Sequence, residues 1–255
     1  MTIDAGILWA PLAAGLLVTA THAPLGVQVL NRGIVFIDLA VAQIAGLGVI
    51  FADWLGYEPQ GVAVQVAALV AALAGAVLLN WTERLWPDVQ EAVIGVTFIV
   101  AANAAILLLA VNPHGAEHLK DLLIGQILWV SAAQLPLIAL LSAAILAALF
   151  GFHARKRRMW FYVVFACAVT LSVQLVGLYL VFTTLIVPAL ATRKFARRRL
   201  AACYGVAAAG YAAGLFASAI TDLPAGPLIV CVMALVGVAL MASTSGAAVR
   251  GSEQV

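Results

Sequence analysis

Charge is what this sequence has least of. Asp, Glu, Lys and Arg together make up 9% of its 255 residues, against roughly 25% in soluble domains. Apolar residues stand at 65%. A chain this long folded in water still exposes about a quarter of its unfolded surface, and here there are too few polar side chains to cover it. Cysteine is nearly as scarce. Cys167, Cys203 and Cys231 are odd in number and each lies inside an apolar run, which excludes a disulfide scaffold and reads them as small core residues. Lysine occurs only at 120, 156 and 194, and none completes a G-x-x-x-x-G-K-[ST] phosphate cradle. No Ser-His-Asp set in a nucleophile elbow and no C-x-x-C pair is present. These absences exclude a soluble enzyme and point to an all-α, polytopic helical membrane protein.

What is there is a series of apolar runs long enough to cross a bilayer, which needs about 20 residues. They fall at 6–30, 34–55, 61–80, 92–111, 127–150, 200–220 and 224–244, with a longer block at 159–190. The first is read as a span, not a cleavable signal, because Met1 to Gly6 carries Asp4 and no basic residue. No connection exceeds about fifteen residues, so the chain reads as a single transmembrane domain, 1–255, and soluble partners must be other chains. Of the thirteen Lys and Arg, nine sit in two clusters, Arg155-Lys156-Arg157-Arg158 and Arg193-Lys194 with Arg197-Arg198-Arg199. Placing both in the cytoplasm puts Arg32, Arg84 and Arg250 inside as well and leaves only Lys120 outside. The basic residues thereby have an orienting role, and no nucleic acid partner is implied.

The 159–190 block lies between two clusters on one side and must cross an even number of times. As one helix it would measure about 48 Å, too long for a single crossing, and as two full spans it is too short. A helix broken near Gly177, ending by Pro188 and re-entering from the cytoplasmic side, fits; the competing reading is one long tilted helix. The architecture is therefore about seven full spans plus a broken, re-entrant region. Ala68, Ala72 and Ala76, and the Gly210–Gly214 pair, prepare close helix packing.

Two ionisable residues stand inside spans, His22 and Asp38, and each is expensive there unless paired or wet. On antiparallel neighbouring helices joined at Asn31-Arg32-Gly33 they would lie at similar depth, about 9–14 Å from the inner surface. An imidazole and a carboxylate suit Zn²⁺ or Mn²⁺; a buried His–Asp hydrogen bond between two helices is the other reading. His114-Gly115-Ala116-Glu117-His118 matches H-x-x-E-H, but it follows Pro113 and contains Gly115, so a protease helix is not expected. His114, Glu117 and His118 are read either as a transient divalent-cation capture point at the external mouth or as a solvated loop. Gln65, Asn103, Gln126, Gln174, Thr183 and Thr184 are expected to join helices, with Gln174 and the threonines closest to the proposed break.

Several segments together carry a resemblance. Arg32-Gly33-Ile34-Val35-Phe36-Ile37-Asp38-Leu39-Ala40-Val41-Ala42-Gln43 resembles the opening signature of metal-type ABC importer permeases, the integral subunits of zinc and manganese uptake systems. Glu91 to Phe98 is similar to the family's acidic-then-IGxxF helix start, Leu123 to Ser131 to its LFGxILxVS segment, and Gln174 to Ala189 to its QxVGxxL…xxIPA stretch. Thr221 to Pro227 resembles its last outer turn. The resemblance implies a homodimer or paired permease in the bacterial cytoplasmic (inner) membrane, among lipid, with the path between subunits. It also implies a separate cytoplasmic ATP-binding subunit and an external metal-binding protein that delivers the Zn or Mn ion. The chain itself would hold no cofactor, the metal being cargo.

Two departures stand out. The family pattern carries a His four residues after its Asp, and Ala42 stands there; either His22 supplies the imidazole or the gate differs. The polar coupling segment expected before the sixth span reads Ile145 to Phe150, too apolar for a solvated docking helix, which leaves ATPase contact to the basic clusters. An autonomous secondary transporter or channel using the His22–Asp38 pair as a proton relay is the alternative, and a structural subunit a third.

Overall fold

In hydrocarbon a backbone amide finds no water to bond, so a spanning segment must satisfy itself as a helix. A computed structural model of the chain describes residues 5–58, 61–109, 127–151, 158–195 and 197–252, and among these there is no strand. The helices are α1 (Ala5–Arg32), α2 (Ile37–Trp54), α3 (Val62–Leu85), α4 (Gln90–Leu109), α5 (Leu135–Gly151), α6 (Arg158–Val176), α7 (Leu178–Ala191), α8 (Arg199–Thr221) and α9 (Ala225–Ser252). Short 3₁₀ turns at Pro87–Val89, Ile127–Trp129 and Ala132–Gln134 lead into α4 and α5. Eight of the helices are long and apolar enough to cross a membrane, and α7, at 14 residues, is shorter.

The 159–190 block resolves at Gly177. That residue has φ +82° and ψ 161°, backbone that only glycine adopts readily, and the chain turns there from α6 into α7. One long tilted helix is thereby excluded. The break lies beyond a complete span, since α6 alone has 19 residues, whereas α7 covers about 21 Å at 1.5 Å per residue. The expected stop at Pro188 is also passed. α7 continues to Ala191, where the Thr192 amide and hydroxyl both donate to the Pro188 carbonyl, at 3.2 and 2.8 Å. Ile145 to Phe150 lies within α5, in keeping with its apolar sequence.

α1 and α6 are the most enclosed spans, while α4, α5 and α9 present most of their surface outward. Phe161, Tyr162 and Phe165 of α6, Leu180 and Leu185 of α7, and Tyr211 of α8 are fully buried at the centre. Around them α1 packs on α7, α8 and α5, while α2 packs on α3 and α4. Small residues set the close approaches. Ala68, Ala72 and Ala76 are all fully buried on one face of α3. A methyl at Gly210 or Gly214 of α8 would fall 2.6 Å from Met233 Cβ and 2.5 Å from Ile229 Cα of α9. At Gly26 of α1 it would overlap the Leu185 carbonyl of α7.

Candidate functional site

One end of the bundle gathers the basic residues. Arg158 at the start of α6 pairs with Glu83 near the end of α3 at 3.5 Å, and the Arg32 guanidinium lies 4.1 Å over the Phe161 ring. Arg199, at the start of α8, donates to Asn31 Oδ1 and to the Ala189 carbonyl, both at 3.2 Å. Arg158 and Arg199 therefore lie at the same end, as the even crossing of the 159–190 block requires. This is the inner end of the positive-inside reading. Between α3 and α4, the Thr82 hydroxyl donates to Gln90 Oε1 at 3.1 Å and Gln90 Nε2 to the Leu79 carbonyl at 3.0 Å.

Asp38 stands at this end, in the first turn of α2, directly after the turn at Gly33. It is fully buried, and neither carboxylate oxygen has a hydrogen-bond partner. The carboxylate sits in the first turn of α2, at the positive end of the helix. Glu91, in the first turn of α4, accepts from the Phe36 amide at 3.2 Å through Oε1 and leaves Oε2 buried and unpartnered.

His22 is also fully buried, on α1. Its Nδ1 lies 3.0 Å from the Val18 carbonyl, which can only accept, so Nδ1 carries the proton. In the neutral ring this leaves Nε2 as a lone pair, buried and without a partner. The Thr21 hydroxyl is 3.0 Å from Nδ1. No ion pair or hydrogen bond joins His22 and Asp38. Asp38 is the second residue of α2, and His22 lies on α1 ten residues before Arg32.

Above the inner end a groove of about 760 Å³ opens between α1, α3, α5 and α6. Thr21, Gln65, Gln134, Ser142, Ser172 and Gln174 supply its polar wall, and among the described residues no charged side chain lines it. Thr21 places the groove beside His22. Gln174 and Gln65 thus belong to a cavity, whereas Thr183 and Thr184 bond back to the carbonyls of Tyr179 and Leu180 at 2.8 and 2.7 Å. Thr184 also meets the Tyr211 hydroxyl at 2.9 Å, and Asn103 donates to Ile99 of its own helix. Of these three only Thr184 joins two helices; Thr183 bonds within α7, and Asn103 is exposed and bonds within α4. Gln126, His114, Glu117 and His118 lie outside the described residues. Among the described residues no three His, Cys, Asp or Glu side chains form a metal cluster.

Sequence reasoning placed Glu91 only at a helix start and did not foresee its hydrogen bond to the Phe36 amide just before α2. It also missed Gln134, Ser142 and Ser172, which only the packing of α5 on α1 and α6 aligns with Gln174.

The sequence pattern of the ABC 3 transport family matches residues 5–157 and 147–244. The high-affinity zinc uptake system membrane protein ZnuB of Haemophilus influenzae is 25% identical over 246 residues, 88% of this chain and 92% of that one. A "probable metal transport system membrane protein" of Chlamydia muridarum is 23% identical over 238 residues, 82% of this chain and 80% of that one. Among solved structures, PsaBC from Streptococcus pneumoniae in complex with a Fab superposes with a TM-score of 0.71 at 20% identity, covering 93% of this chain and 91% of that one. The last is a likeness of fold.

Proposed function

The chain belongs to the ABC 3 transport family, and from that premise we propose that it is the permease subunit of an ATP-driven importer of a divalent transition metal, zinc or manganese. The observation that carries this reading is the family match over nearly the whole chain, together with a polar groove in a bundle otherwise built of apolar side chains.

The chemistry follows from the groove. Amide and hydroxyl side chains exchange hydrogen bonds with a cation's water shell without holding the ion in place. The cation enters from the outer side, where an external metal-binding protein releases it. It passes the His22 lone pair beside Thr21 and meets its first buried negative charge at Asp38, at the inner end. His114, Glu117 and His118 serve as the capture point at the outer mouth. Polar side chains facing hydrocarbon are unfavourable, so a second copy of the chain covers the groove and the path runs between the two. The chain carries no phosphate cradle, so a separate cytoplasmic ATP-binding subunit supplies the work and docks at the basic residues 193–199. The setting is the bacterial cytoplasmic membrane. The proton-relay alternative drew on a His22–Asp38 pair, and no hydrogen bond joins the two.

The test is a mild-detergent pull-down of the tagged chain from its own host, with mass spectrometry of the co-purifying proteins. A stoichiometric cytoplasmic ATPase is expected. Its absence under several gentle conditions would overturn the importer reading.

A further inference from the structure

We infer that Glu83 is a gate-positioning residue whose pair with Arg158 latches the inner ends of α3 and α6 together beneath the groove. The inference rests on the proposed importer, in which cargo must leave the groove at the inner end.

The groove does not run the length of these helices. α3 lines it through Gln65, its fourth residue, and α6 through Leu171, Ser172, Gln174 and Leu175, close to its end. At 1.5 Å per residue, Glu83 lies about 27 Å along α3 from Gln65, and Arg158 about 20 Å along α6 from Leu171. Between the two levels the helices are dry. Ala76 and Leu79 of α3 and Phe161, Tyr162 and Phe165 of α6 are fully buried in one apolar cluster. The polar wall therefore belongs to the outer part of both helices, and apolar side chains close the inner part.

Charge fastens the closed end. Arg158 Nε lies 3.5 Å from Glu83 Oε1. One turn further along α6, the Phe161 ring carries the Arg32 guanidinium at 4.1 Å, which draws the last residue of α1 to the same end. Glu83 is otherwise badly placed. It sits in the last turn of α3, where the helix dipole disfavours a carboxylate, and its side chain is only 14% exposed. Arg158 offsets that cost. Its own side chain is 46% exposed, and a pair so open to water is weak enough to part in every transport cycle. Once it parts, only apolar packing holds the inner ends of α3 and α6, and their separation joins the groove to the cytoplasm.

The experiment uses the full chain in inside-out membrane vesicles from its own host, in a cysteine-free background carrying Ser142→Cys, a groove position on α5. A membrane-impermeant maleimide in the medium reports how often the groove is reached from the cytoplasmic side. Slow labelling is expected with the latch intact. Glu83→Gln and Arg158→Gln should each raise the rate by about fivefold or more, by shifting the population toward the inward-open state. The double variant should go no further than the single ones, because both remove the same contact, whereas two independent structural defects would multiply. Asp88→Asn, which removes an exposed carboxylate at the same end, should leave the rate unchanged. An unchanged elution profile reports the fold, and the half-exposed Arg158 position supplies the test if Glu83→Gln does not fold. Unchanged labelling in the folded single variants would overturn the latch, as would effects that multiply in the double. If the ATPase is still captured while labelling is unchanged, the latch falls and the importer stands. If labelling rises while no ATPase is captured, the importer falls and the gate stands.

Discussion

Asp38 and His22 have both given up water for surroundings that return no full set of hydrogen bonds. A buried polar atom left unpaired costs about 1–3 kcal/mol, and more when it is charged. A packing role would have filled those valences, as it does for Thr184, whose hydroxyl meets both the Leu180 carbonyl and Tyr211. Asp38→Asn should therefore lower metal uptake by about tenfold or more, a charge-assisted contact being worth roughly 1.5–3 kcal/mol. His22→Asn is the sharper test at the second position. The amide nitrogen can still donate to Val18 in place of Nδ1, while the Nε2 lone pair is lost. Radiolabelled metal uptake at matched membrane expression should fall for both variants. Wild-type uptake in both would remove these residues from the path. Both were visible in the sequence as ionisable residues inside apolar runs. Their pairing was inferred from sequence adjacency of the helices, and no hydrogen bond joins the two side chains.

At the scale of the element, the turn between α6 and α7 decides how the chain reverses inside the membrane. Gly177 holds φ +82° with ψ 161°, a region that costs an L-residue about 1–3 kcal/mol. Gly177→Ala should lower the melting temperature of the detergent-solubilised protein by several degrees. Gly95→Ala is the control, since Gly95 lies within α4 with open space where a methyl would go. That change should be neutral or stabilising, alanine being the better helix former by about 1 kcal/mol. Fluorescence-detected size-exclusion after a heating series reads both, and equal midpoints would show that the break does not depend on glycine. The length mismatch of residues 159–190 made a break legible, and Gly177 was the natural place for it. That α6 completes a span before the break was not legible, because an apolar run does not show where the chain reverses.

For the whole molecule, orientation follows from charge and is supported by contact. The inner end gathers Arg32, Arg158 and Arg199 through the Phe161 stack, the Glu83 pair and the Asn31 hydrogen bond. In a cysteine-free background, Leu223→Cys lies in the exposed turn between α8 and α9, at the opposite end from Arg197→Cys. A membrane-impermeant maleimide should label Leu223→Cys in intact cells and Arg197→Cys only after permeabilisation; the reverse pattern would invert the topology. The sequence alone determined the membrane as solvent, the helical class, most of the spans and the family resemblance, and its basic clusters predict the side that faces the cytoplasm. Each rests on composition, run length or local motif, which act along the chain whatever it packs against. The tertiary structure decided which polar residues share a space. Gln65, Gln134 and Gln174 come from three separate segments to line one groove, and Glu91 of α4 accepts from the Phe36 amide just before α2. Side chains distant in sequence become neighbours only through the faces that helices turn to one another. In a chain this uniformly apolar, periodicity marks those faces weakly, and small residues such as Gly26 and Gly210 set them by how closely two backbones can approach.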